Sequence, residues 1–205
     1  MARTTRIQIV TPKGTAVYPW LNRPDTKFSD DGEYKVTLKV PAEDAQDLIS
    51  KLDNILDEYL SEQSSKDPKV GRFKTNAPYE EEVDDNGNLT GNYLFKFKQK
   101  AKVHTKDGRT IDMKVALFDA SRTPTQAAVG GGSELKVAAT VWPYVMPATK
   151  SVGLSLRPSA VQILSLVSLS SGVANVFDVE DGFTDDGTTE QVTEDTDEEY
   201  AATDF

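Results

Sequence analysis

The segment Tyr93-Leu94-Phe95-Lys96-Phe97-Lys98-Gln99-Lys100-Ala101-Lys102-Val103-His104 holds the most informative chemistry of the chain. An extended backbone sends alternate side chains to opposite faces. Phe95, Phe97, Ala101 and Val103 therefore fall on one side, and Lys96, Lys98, Lys100, Lys102 and His104 on the other. Lysines two apart on a strand stand roughly 6–7 Å from each other, close to the phosphate spacing of an extended single strand. Beyond the turn Lys106-Asp107-Gly108-Arg109, the returning strand adds Lys114 on the same parity, with Arg109 in the turn itself. This is chemistry for neutralising a polyanion. The plain alternative is a solvated edge strand guarded by lysines against aggregation.

A second pattern adds aromatic planes. In the segment 135–145, Leu135, Val137, Ala139 and Val141 form an inner set, which puts Lys136, Trp142 and Tyr144 outward. Large aromatics are costly to leave in water, and each nucleobase stacked on one contributes ~1–3 kcal/mol without any need to read sequence. Tyr18-Pro19-Trp20 mirrors Trp142-Pro143-Tyr144, two aromatics flanking a proline. Arg72-Phe73-Lys74 is a third, weaker cluster, expected in a loop. Either aromatic trio alone also fits a core plug at the end of a barrel.

Other chemistries fail on composition or spacing. The chain has no cysteine, which removes thiolate metal sites, disulfides and Cys nucleophiles, and it suits a reducing compartment. With His104 as the single histidine, no two-imidazole zinc site can form. Gly130-Gly131-Gly132-Ser133 lacks the Gly-Lys-Ser/Thr ending of a phosphate-binding loop. Asp84-Asp85-Asn86-Gly87 reads as a turn without the rest of a calcium loop. No carboxylate pair stands in a context that singles out an acid and a base. The expectation is a binding protein with no catalytic residues, metal or cofactor.

The elements that must carry these side chains are mostly strands. The segments 33–40, 93–104 and 111–118 alternate with period two, and 135–145, 152–156 and 161–169 follow, with Arg157-Pro158 expected to force a bulge or a break. One amphipathic helix interrupts them: Ala45, Leu48, Ile49, Leu52, Ile55, Leu56 and Tyr59 recur every three or four residues. Pro41 suits its first turn, and its outer face carries Asp44, Asp47, Asp53 and Asp57, which would repel phosphate. Five or six strands with one inserted helix predict an all-β fold, an OB-type closed Greek-key barrel. An immunoglobulin-like sandwich is the competing architecture.

Charge divides the chain. Of its 33 acids, twelve lie in 178–205, which holds no lysine or arginine, leaving 21 acids against all 23 bases in the remainder, a net of +2. The expected organisation is a folded binding domain over 1–176 and a disordered acidic tail over 177–205. No signal peptide or membrane-spanning run is apparent, and a soluble cytoplasmic protein is expected.

Several segments, in order along the chain, resemble one family. They are Tyr18-Pro19-Trp20-Leu21-Asn22-Arg23-Pro24-Asp25, Tyr34-Lys35-Val36 before the helix, Phe95-Lys96-Phe97-Lys98, Gly130-Gly131-Gly132-Ser133-Glu134-Leu135-Lys136-Val137, Pro143-Tyr144, and the ending Asp204-Phe205 after an acidic run. The family is that of the T7-type phage single-stranded DNA-binding proteins. The resemblance implies an OB-fold with a helix inserted after the second strand, and non-sequence-specific binding of single-stranded DNA in phage replication, recombination and repair inside an infected host cell. It matches Tyr144 to the family's aromatic and Lys96 and Lys98 to its basic strand; Lys100 and Lys102 extend that strand. It implies that the tail, including Asp197, Glu198, Glu199, Asp204 and Phe205, contacts the phage DNA polymerase and helicase-primase and competes with DNA for the groove. A homodimer is left open. The competing functions are an all-β assembly protein whose lysine face meets an acidic protein, and a single-strand annealing or nuclease-type enzyme.

Overall fold

Strict alternation buries Tyr34, Val36, Leu38 and Val40 on one face of a strand while Lys35, Thr37 and Lys39 stay half-exposed on the other. The same rule builds most of the molecule. The computed structural model describes residues 7–167, so the expected tail lies outside the described residues. The strands are β1 Ile7–Val10, β2 Gly14–Asp25, β3 Glu33–Pro41, β4 Lys74–Asn76, β5 Tyr79–Val83, β6 Leu89–Lys100, β7 Lys102–His104, β8 Thr110–Asp112, β9 Ala116–Phe118, β10 Glu134–Met146 and β11 Ser151–Ser165. One helix, α1 Ala42–Lys66, joins β3 to the rest. The fold is mainly β.

Five long strands pair in a ring: β10 with β2, β2 with β3, β3 with β6, β6 with β11, and β11 with β10. The closure is uneven. β3 and β6 pair over their shared length, and β10 follows β11 from Glu134 to Met146. The two other seams are short: β10 meets β2 only at Glu134↔Thr15 and Leu135↔Gly14, and β6 meets β11, in parallel, only at Leu156↔Phe97. Next to the first seam, Gly14 lets β2 lie close on β3, because a Cβ there would stand 2.6 Å from the Lys39 carbonyl oxygen. The core inside the ring is made by Val36, Leu38, Phe95, Phe97, Leu135, Val137, Leu156 and Val161, all nearly or fully shielded from water.

α1 buries Ala45, Leu48, Leu52 and Leu56 against β3, β6 and β11, as its periodicity predicts. Pro41, the last residue of β3, is also its N-cap. Asp44, Asp47 and Asp57 are exposed, but Asp53 departs from the expected outer face. Its carboxylate accepts a 2.6 Å hydrogen bond from the Tyr79 hydroxyl. Burial and this carboxylate together push the phenol above its usual pKa.

Two expected strands divide. The run 93–104 breaks at Ala101, whose N–H donates to the Gly32 carbonyl at 2.9 Å while its own carbonyl accepts from Met113 N–H at 2.7 Å. The chain beyond forms a separate β7–β8 hairpin, so Val103 is exposed instead of entering the core. The run 111–118 splits into β8 and β9, the latter pairing in parallel with β11. The turn around Asp107-Gly108 forms as expected, with Gly108 at φ +80°. Pro158 produces a bulge and no break: the register with β10 shifts between Ala138 and Ala139, and Ser159 is left over.

Candidate nucleic-acid interface

Residues directly opposite on neighbouring strands share a face, and on the outside of the ring this rule gathers cations and aromatics in one band. Trp20 on β2 pairs with Lys35 on β3, and Lys35 pairs with Lys98 on β6. Past Lys98 the surface forms a groove of ≈ 550 Å³, walled by Lys98 and Lys100 on one side and by Thr140, Trp142, Ser155 and Arg157 on the other. The hairpin overlooks it with Val103, Ile111 and Met113. Arg157 lies over Trp142, its guanidinium carbon 4.0 Å from the ring centroid. On the far side of Trp20, a larger groove of ≈ 830 Å³ is lined by Tyr18, Trp20, Arg23 and Lys39 together with the 128–132 segment.

The aromatics differ in how they are held. Trp142 is outward and 43% exposed. Tyr144 is half-buried, because its ring lies against Gly153 on β11. Tyr18 is 82% exposed and sits at φ +49°, in a bulge where β2 loses register with β3 between Val17 and Trp20. A bulky residue rarely adopts that conformation, and strain of this kind concentrates where a side chain must be presented. Arg23 lies over Trp20 at 5.6 Å from its centroid.

Ion pairs sort the lysines. Lys96 meets Glu80 of β5 at 2.8 Å and Lys39 meets Glu82 at 3.4 Å. Lys100 meets Asp31 at 3.3 Å, and Asp31 also accepts from His104 at 2.9 Å. Those two contacts, His104 first, hold the Asp31 carboxyl below the usual carboxylate range. Lys35 is fixed by Asp25 at 2.6 Å, and this bond, with one from Lys27 N–H, lowers the Asp25 pKa. Lys98 has no carboxylate partner among the described residues. It lies at the centre of the band with no ion pair to break.

The band therefore unites Trp20, Lys98, Lys100 and Trp142, with Tyr18 and Tyr144 at its margins. Lys74 stands beyond Tyr144: it pairs with Ser151 on β11, and Asn76 pairs with Gly153, opposite Tyr144. Arg72 is in the short 3-10 turn Val70–Arg72 and Phe73 follows it, half-buried. Lys102 is on the hairpin, opposite Asp112. Arg109 is bound to Asp107 in the turn. Lys114 is exposed in the link between β8 and β9 and so is not on a hairpin strand. Lys136 faces outward but lines a different groove, with Val10, Phe118 and Arg122. Asp197, Glu198, Glu199, Asp204 and Phe205 lie outside the described residues.

Sequence reasoning missed Lys35, Arg157, Arg23 and Phe28. Phe28 is 82% exposed, with Lys27 and Lys35 over its ring at 5.5 and 5.9 Å. The outward parity of Lys35 was readable from the alternation of its strand. Its place between Trp20 and Lys98 depends on the pairing of three strands, and that of Arg157 on the register across a bulge.

A family model described as single-stranded DNA-binding protein, bacteriophage T7, matches residues 13–166. The single-stranded DNA-binding protein of Escherichia phage T7 is 27% identical over 151 residues, 69% of this chain; the match spans 65% of the T7 protein's own length. That of Enterobacteria phage T3 is 27% identical over 188 residues, covering 82% of this chain and 81% of the relative. Among solved structures, T7 gp2.5 superposes with a TM-score of 0.67 at 22% identity, over 88% of this chain and 100% of that one. The bacteriophage Enc34 single-stranded DNA-binding protein in complex with ssDNA gives 0.51 at 15% identity, over 78% and 88%. At these identities the structural likeness speaks for the fold.

Proposed function

The chain belongs to the bacteriophage T7 family of single-stranded DNA-binding proteins, and we propose that it binds single-stranded DNA without sequence preference, on an OB-type barrel, in support of phage replication, recombination and repair. The observation that carries this reading is the row Trp20–Lys35–Lys98 and its continuation into the groove of Trp142 and Arg157. A single strand laid across the band meets cations that take phosphates and aromatic planes that take bases. Every base has a π-face and every nucleotide a phosphate, so affinity arises with little base preference. The names of the T7 and T3 relatives, and the solution of the Enc34 protein with ssDNA, agree with this ligand.

In the same reading, the acidic tail competes with DNA for the band and, with Phe205 as an apolar anchor, recruits the phage polymerase and helicase-primase. The protein acts by binding and not by catalysis, as the family's description and the T7 and T3 relatives' names, single-stranded DNA-binding protein, support.

Labelled oligo-dT, a duplex of equal length and poly-glutamate test the reading together. The expected result is tight binding of oligo-dT, much weaker binding of duplex, and no cleavage when magnesium or manganese is added. Preference for poly-glutamate over oligo-dT would favour an acidic protein partner instead, and metal-dependent cleavage would make the protein a nuclease.

A further inference from the structure

Arg157 stands apart from the other cations of the band. Its guanidinium covers the Trp142 ring at 4.0 Å, and no carboxylate pairs with it among the described residues. Its neighbours across the groove are Lys98 and Lys100, the latter tied to Asp31. The backbone takes trouble to aim it. Cross-strand register places Arg157 opposite Thr140, while Ser155 is opposite Trp142, so the side chain must run diagonally to reach the indole. The bulge at Ser159, held by its hydroxyl donating to the Ala138 carbonyl at 3.1 Å, follows directly after buried Pro158 and fixes the direction of the strand there. Arg157 is itself exposed, so the face of the guanidinium turned away from Trp142 is open to a ligand.

A guanidinium is planar, weakly hydrated and suited to stacking; an ammonium is a compact, strongly hydrated charge. Charge alone would be served by a lysine anywhere on this wall. A flat cation laid on a tryptophan instead builds a two-layer platform, with one guanidinium face on the indole and its N–H edge free for oxygen acceptors. We propose that Arg157 is a base-stacking residue: it extends the Trp142 platform and receives a nucleobase on its outer face, so that it contributes to recognising bases as well as to neutralising phosphate. This rests on the single-strand reading given above.

The test compares oligo-dT with an abasic deoxyribose-phosphate strand of the same length, across a salt series, for the intact chain, Arg157→Lys and Arg157→Gln. The intact chain should prefer oligo-dT over the abasic strand. Arg157→Lys keeps the charge and loses the plane: its affinity for oligo-dT should fall about 5-fold or more, as expected for one lost stacked base, with abasic binding and salt slope unchanged. Arg157→Gln keeps a planar amide and loses the charge: it should hold more of the preference for bases, while its salt slope flattens by about 0.7, one phosphate's worth. The inference is overturned if Arg157→Lys binds oligo-dT as the intact chain does, or if it weakens both strands equally. It is overturned alone, with single-strand binding standing, if the intact chain binds both strands equally well. Failure of the intact chain to bind either strand removes the functional reading and this inference together.

Discussion

A methyl group at position 153 would stand 2.6 Å from the Asn76 carbonyl oxygen and 2.8 Å from the Tyr144 hydroxyl. Only a glycine lets β4 pair so closely with β11 while the end of the Tyr144 ring packs against the same residue. Gly153→Ala should therefore do two things at once. It should lower stability by ~1–3 kcal/mol through overpacking against backbone that cannot yield easily, and it should lift Tyr144 off the sheet and weaken DNA binding. Thermal unfolding and oligo-dT titration of the same preparation measure the two effects. Trp142 offers the complementary case. It is outward and packs little into the core, so Trp142→Ala should cost ~1–3 kcal/mol of binding and leave the salt slope intact, because no phosphate contact is lost. A collapse of the thermal transition with binding per folded molecule preserved would instead make Trp142 a structural plug.

At the scale of elements, β6 acts as two halves set by what flanks it. Lys96 is matched by Glu80 on β5, whereas Lys98 faces the groove without a carboxylate among the described residues. Lys98→Ala should flatten the slope of log affinity against log salt by about 0.7. Lys96→Ala should change it less, and Glu80→Gln should tighten binding by freeing Lys96; salt titrations of the three variants check the order. The alternation of β3, β6 and β10 was legible in the sequence because one face of each is buried, and period two then fixes both faces. The break at Ala101 was not legible. It depends on hydrogen bonds to Gly32 and Met113, distant partners that no local pattern encodes. The hairpin it releases is tethered through Asp31, which His104 and Lys100 both engage. These contacts favour the ionised carboxyl, so its folded pKa lies below the unfolded value of 3.8. The stabilisation is complete above that value and disappears as pH falls through the folded pKa. The melting difference between the intact chain and Asp31→Asn should be present at pH 7 and should shrink only once pH falls below 3.8, closing as the folded carboxyl is protonated.

At the scale of the whole molecule, a body of net charge +2 is joined to a segment with twelve carboxylates and no base. In the proposed function these carboxylates compete with DNA, since tethering raises the effective concentration of a linked competitor. Deleting residues 178–205 should therefore tighten binding to oligo-dT, most at low salt, since screening weakens the competition. Equal affinities of the two forms at low salt would count against it. The central claim is that one band holds phosphates and bases together, and a chain bearing Trp20→Phe tests it most directly, because Trp142 is then the sole tryptophan. Titration with oligo-dT should quench Trp142 in proportion to binding, and the midpoint should move to higher DNA concentration as salt rises, with log affinity against log salt sloping near −3 to −4 for ~4–6 neutralised phosphates. Oligo-dT that binds, as followed by its own label, while the Trp142 emission stays unchanged would contradict the account.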